Sequence, residues 1–303
     1  MANDDKIDEY SVFLESWEPR ERLEYACLAH NQSDPVVQHR LLIDSGAGDP
    51  LERATYEPGY KVMSRSELDA RHYAFFEDHQ DEWSGHLRDY LEERGIPTFK
   101  IDIYVSSFAN LWVDGRRRRQ DSPQMMAIKA SIRDHDREFH PKTAGQYVIN
   151  SIDPSIDPLF TLDEMATVFE ANRGLIDAFM PNYVDALRNA SISSPSDLSV
   201  RRGVYMPGMV TELIELHYLS SYSLGLELAE QFAQIYTPAT RDSGVASLFS
   251  APLPAVQSRI VAFAPFIASM DLRQLELVVA PPTVFTPLTY HDVFGGIQEY
   301  SFQ

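Results

Sequence analysis

The chain has 303 residues, 44% of them apolar, and a single cysteine, Cys27. It can bury a substantial core, but it has no intrachain disulfide framework and no cysteine-rich zinc site. A formal charge of −19 keeps it soluble and repels polyanions at long range, which argues against nucleic-acid binding over the whole surface. No 18-residue uncharged apolar run marks a membrane span, and the acidic start MANDDKIDEY is unlike a leader. The expectation is a cytoplasmic or particle-associated protein.

Ile7, Tyr10, Leu14 and Trp17 fall at helical spacing, and Pro19 suits the first turn of a second helix carrying Leu23 and Cys27, which together predict helix over 7–30. Cys27 lies on the apolar stripe and reads as a small core residue. A short helix runs from Ser33-Asp34-Pro35 to Ile43. The Gly, Asp and Pro of 44–60 mark a loop, whose SGAG lacks the Gly-Lys-Ser/Thr ending of a phosphate loop.

The clearest stretch is 64–107. Ser64 with Glu67 fits a capping box, a helix follows over 64–94, and Gly95-Ile96-Pro97 stops it. Phe99, Ile101, Ile103 and Val105 then alternate with polar residues and predict a strand, followed by a second over 108–113. His72, His79 and His86 recur every seven residues. Seven residues advance a helix by ~10.5 Å, so these three cannot share one metal ion. His79, Glu82 and His86 are closer, but a polar border beside an apolar seam explains them better.

After the Asp114-Gly115 turn come Arg116, Arg117, Arg118 and Arg119, a local patch suited to phosphate, nucleic acid or an acidic protein surface. Arg outnumbers Lys 21 to 5 in the whole chain, so the run also fits a general Arg-rich usage. Ser122-Pro123 caps a helix with Met125, Ile128 and Ile132 inward. It ends in the densest polar cluster, Asp134, His135, Glu138 and His140, a set chemically able to hold a divalent ion and a water. The cluster matches no established metal motif. Residues 146–150 read as a short strand.

Further on, Thr161 and Glu164 make a capping box for a helix over 161–189, with Phe160 and Met165 as a hydrophobic staple. The apolar run 207–236 predicts a second long helix, and Glu212, Glu215 and His217 within it lack metal-site spacing. Pro254 starts another helix with Val256, Ile260, Phe263 and Ile267. Leu275, Leu277 and Val279 alternate as a strand. The last stretch, 280–303, is crowded with apolar residues and broken by Pro and Gly, which predicts an arm that must lie on something.

The whole reads as an α+β protein, mainly α-helical, with long helices and a small mixed or antiparallel sheet from 99–113 and 146–150, extended by 275–279. Two regions are expected, 1–150 and 151–303, or one continuous domain. With no nucleotide, serine-elbow or kinase signature, the expected function is a self-assembling structural protein, a coat or shell subunit forming a homo-oligomer without cofactor. Its partner contacts are expected from Arg116–Arg119 and from Phe285, Tyr290, Phe294, Tyr300 and Phe302 of the arm. The alternative is a metal-dependent enzyme using the 134–140 cluster.

Overall fold

The computed structural model describes residues 65–112, 122–139, 155–187, 198–206, 219–234, 244–272, 275–282, 286–294 and 296–303. The predicted helices before residue 44, Cys27, the loop at 44–60, the arginine run Arg116–Arg119 and the strand at 146–150 lie outside these residues.

Helix α1, Arg65–Glu93, turns Phe76, Trp83, Leu87 and Leu91 into the core, each at most 1% exposed. It stops in a Schellman turn, with Gly95 N–H donating to Glu92 O and Ile96 N–H to Leu91 O. Gly95 supplies the left-handed φ of +83° that this turn requires.

Residues 98–112 correct the reading as strands. They form α2, Thr98–Ser107, and a π-helical turn, Phe108–Trp112. The alternation hides a second pattern: Ile101, Tyr104 and Phe108 are spaced three and four apart and are fully buried, whereas Phe99 is 60% exposed. Packing of that stripe overrides the β preference of the branched residues. Pro97 caps the helix with its carbonyl accepting from Lys100 and Ile101.

Helix α3, Pro123–Phe139, is capped by the Ser122 hydroxyl, which accepts from Met125 N–H. Helix α4, Leu162–Leu187, has the predicted capping box, with Thr161 N–H donating to Glu164 and Glu164 N–H to the Thr161 hydroxyl. Phe160 and Met165 are both buried, as a staple demands. Pro181 is accommodated inside α4. Trp83 of α1 stacks on Phe179 of α4 at 5.0 Å.

The second half builds the sheet. Strand β1 is Ser199–Met206, β2 Ser220–Ser223, β3 Val245–Pro252, β4 Ile260–Phe263, β5 Glu276–Val279, β6 Thr289–Phe294 and β7 Ile297–Ser301. The spatial order is β4-β5-β2-β1-β3-β7-β6, antiparallel throughout except for the parallel pair β3–β7. The α+β class is as read from the sequence; helix makes up 55% and strand 23% of the described residues, so helix exceeds strand. The strands, however, come almost entirely from segments read otherwise.

Two predicted helices are corrected. The run at 207–236 is broken by β2, and the described residues after it form the short helix α5, Leu226–Ala233. Ser220, Ser221 and Ser223 with Gly225 interrupt the apolar pattern, and the Ser223 hydroxyl accepts from Gly225 N–H at the turn into α5. The helix begun near Pro254 is only α6, Leu253–Gln257; Ile260–Phe263 is a strand buried at every position. A continuous apolar run suits a strand covered on both faces as well as it suits a buried helix.

Helix α5 lies directly across β1. A Cβ on Gly203 would fall 1.6 Å from the Ala229 carbonyl oxygen, so only glycine permits this approach. One large core joins α1–α4 to the sheet, and a smaller cluster of Ala229, Ala233, Ala246, Leu248 and Ile297 lies under α5. Gln80 on α1 ties the β4–β5 connection down, its side-chain amide sharing its protons among the carbonyls of Ala264, Ile267 and Met270 at 2.9–3.2 Å.

The apolar arm is part of this sheet. Tyr300 stacks on Phe249 at 5.2 Å, Phe302 packs against Tyr222, and both Tyr300 and Phe302 are at most 2% exposed.

Candidate active site

Three neighbouring strands bring ionisable and hydroxyl side chains together at the middle of the sheet. Arg201 on β1 stands opposite Ser223 on β2, which in turn stands opposite Glu276, the first residue of β5. Side chains paired this way across a sheet are nearest neighbours, so the register itself gathers the group. The Arg202 guanidinium donates to the Ser221 carbonyl oxygen at 3.1 Å.

Glu276 is the centre of this set and is 5% exposed. Trp112, at the end of the π-helical turn, donates its indole N–H to Glu276 Oε1 at 2.7 Å. Burial raises the Glu276 pKa above the ordinary carboxylate range; hydrogen bonds from the Ser221 hydroxyl and the Trp112 indole and the charge of Arg202 oppose the rise. The neighbouring Tyr222 phenol is also pushed up by burial, against the charges of Arg202 and Arg259. A carboxyl group taken out of water beside two donors and a cation has a perturbed ionisation, which makes it a candidate for chemistry. It can balance a positive charge that develops beside it, or take a proton from a nucleophile.

The residues singled out in the sequence lie elsewhere. Asp134 is tied to Arg133 Nε at 2.6 Å, and the His135 ring rests against Phe169 at 5.1 Å. The Glu138 side chain and His140 lie outside the described residues, and among the described residues no three His, Cys, Asp or Glu side chains are placed to hold a metal ion. On α1, His79 Nδ1 donates to the Phe75 carbonyl at 2.7 Å and His86 pairs with Glu82 at 3.8 Å, the polar border expected. Of the arm residues, Tyr300 and Phe302 are buried in their own sheet, Tyr290 is 40% exposed on β6, and Phe285 and the Phe294 side chain lie outside the described residues.

No sequence motif joins Glu276, Trp112, Ser221, Ser223, Arg201 and Arg202. One local signal was present: Glu276 is the sole charge in LELVVA, a strand apolar at every other position. A charge inside a strand buried on both faces needs partners, and that alone marks it as a site candidate.

No family model matches the chain, and no curated protein matches it either. Solved structures of one enzyme do resemble it. The ADP-ribosyltransferase Vis in complex with an M6 inhibitor superposes with a TM-score of 0.36 at 13% identity, over 79% of this chain and 85% of that one. The Vis toxin from Vibrio splendidus gives 0.33 at 12% over 83% and 89%, and Vis with agmatine gives 0.34 at 13% over 80% and 86%. These are ADP-ribosyltransferases, not coat or shell proteins. The reading as a structural, capsid-like assembly subunit is thereby corrected. Likeness of this strength does not carry an activity across. The activity has to be argued from the residues.

Proposed function

We propose that the chain is an enzyme of glycosyl transfer, and that its reaction is transfer of an ADP-ribosyl group from a pyridine dinucleotide to a nucleophile. The observation that carries this reading is the buried Glu276 carboxyl group, held between Trp112 and Ser221 with Arg202 beside it.

The donor set suits such a substrate. A dinucleotide has a pyrophosphate, for which a protein of net charge −19 must supply local cations, and Arg202 is the cation whose charge acts on Glu276. Its glycosidic bond joins the ribose anomeric carbon to a positively charged pyridinium nitrogen. When the bond breaks, its electron pair leaves with the nitrogen, which becomes neutral, and positive charge builds on the sugar. The ionised Glu276 carboxylate stabilises that charge, and it receives the proton that the attacking nucleophile sheds as the new bond to the anomeric carbon forms. The Ser221 hydroxyl, hydrogen-bonded to the carboxylate, keeps it turned towards the reacting carbon.

Incubation with NAD tests the reading directly. Release of nicotinamide together with transfer of labelled ADP-ribose to an acceptor is the expected result, and Arg202→Ala should raise KM for NAD by about tenfold or more, as when a charged hydrogen bond is lost. Absence of both nicotinamide release and label transfer across a panel of protein and small-molecule acceptors overturns it.

A further inference from the structure

We propose that Trp112 is a positioning residue for the Glu276 centre, holding one carboxylate oxygen through its indole N–H so that the other faces the reacting group. This rests on the reading of Glu276 given above.

The geometry singles out Trp112. It is 4% exposed and reaches across 164 residues of sequence to Glu276 at 2.7 Å. The segment that delivers it is built for the purpose. Tyr104, Phe108 and Trp112 are spaced four apart, and their rings form a row, Tyr104 to Phe108 at 5.2 Å and Phe108 to Trp112 at 6.0 Å. In an α-helix every four-residue step drifts by roughly 40°, so Trp112 would be about 80° out of line with Tyr104. The wider π-helical turn at Phe108–Trp112 takes out part of that drift. The row is anchored at its other end by the Tyr104 hydroxyl, which donates to the Val261 carbonyl on β4 at 2.6 Å. One helical face is thus keyed to two adjacent strands, β4 and β5.

The choice of donor has a chemical reason. Lys or Arg in place of the indole would hold the carboxylate as firmly, but would add a further positive charge to that of Arg202 next to a centre that must stabilise another. Indole N–H is neutral, only donates, and does not titrate in the working range. It fixes orientation and favours the ionised carboxylate without repelling a cationic sugar.

The test replaces Trp112 by 3-benzothienylalanine, which keeps the ring's shape and puts sulfur where the N–H stood; Trp112→Phe serves as a second variant. The expected result is an unchanged circular dichroism spectrum, KM for NAD within about twofold, and kcat lower by about tenfold, as for loss of one hydrogen bond to a charged group. The acidic limb of the pH profile should move to higher pH, and the Glu276 carboxyl titration, followed by carbon-13 NMR on the full chain, should move the same way. A pH profile and NMR titration that stay in place, or a loss confined to thermal stability, would overturn the proposal. The NMR titration needs no turnover, so it still judges the Trp112–Glu276 link if the chain proves to have no transferase activity.

Discussion

Glu276→Gln is expected to lower ADP-ribosyl transfer by at least about 100-fold while making the folded protein more stable at neutral pH. The loss follows from removing the one preorganised negative charge at the centre, and the magnitude is that of deleting a single well-placed electrostatic group. The gain in stability follows from linkage. Burial raises the Glu276 pKa in the folded chain, so the unfolded chain releases its proton first as pH rises. The favourable contribution of the protonated group is therefore complete below the ordinary carboxyl range and is lost as pH rises through the higher folded value. Glutamine keeps the shape and can still accept from Trp112, but never ionises. The difference in Tm between variant and wild type should be smallest below the ordinary carboxyl range and should grow in favour of the variant as pH rises to neutral. Thermal melts at acidic and neutral pH, with transfer assays on the same samples, check both halves. A variant that retains transfer would show that Glu276 is not the reacting carboxylate, and one destabilised at neutral pH would show that its charge supports the fold.

The second large effect concerns residues 283–303. Their removal should give an insoluble or unfolded product, because it takes out β6 and β7. Strand β7 pairs with β3 from Ser247–Gln298 to Ser250–Ser301, and Phe302 N–H donates to Ser250 O. Ile297, Tyr300 and Phe302 are each at most 3% exposed. At ~1.5–3 kcal/mol each, losing these three burials costs roughly 5–9 kcal/mol, against a total stability of about 5–15 kcal/mol for a typical domain. The cut would also leave an open edge on β3. Expression of the truncated chain, with solubility and circular dichroism as readouts, decides it. A soluble product with the full helical signal would mean that these strands add little to the fold.

What could be read in the sequence was what is local. Thr161 with Glu164, Ser122 before Pro123, and Gly95 after α1 all act within a few residues of themselves, and the structure has each cap or turn as read. Residues 98–107 satisfied two periods at once, and the choice between them was made by distant partners: Val261 for Tyr104 and Glu164 for Lys100, the latter pair 2.6 Å apart. The sheet escaped for the same reason. Strand β5 pairs with β2, more than 50 positions earlier, and no local pattern encodes that pairing. The candidate site was hidden because its residues come from separate elements, and its one local trace was the lone charge of Glu276 in an otherwise apolar strand.

That separation has a kinetic side. The hydrogen bond to Glu276 spans 164 residues and the Gln80 ties span 184 to 190. Contacts between such remote parts of a chain form only after most of the loop-closure entropy has been spent, whereas capped helices appear early. A partly folded chain is therefore expected to have its helices before it has an oriented carboxylate. On that order the carboxylate centre is assembled only when the sheet docks onto the helices, so any chemistry at Glu276 waits for the completed fold.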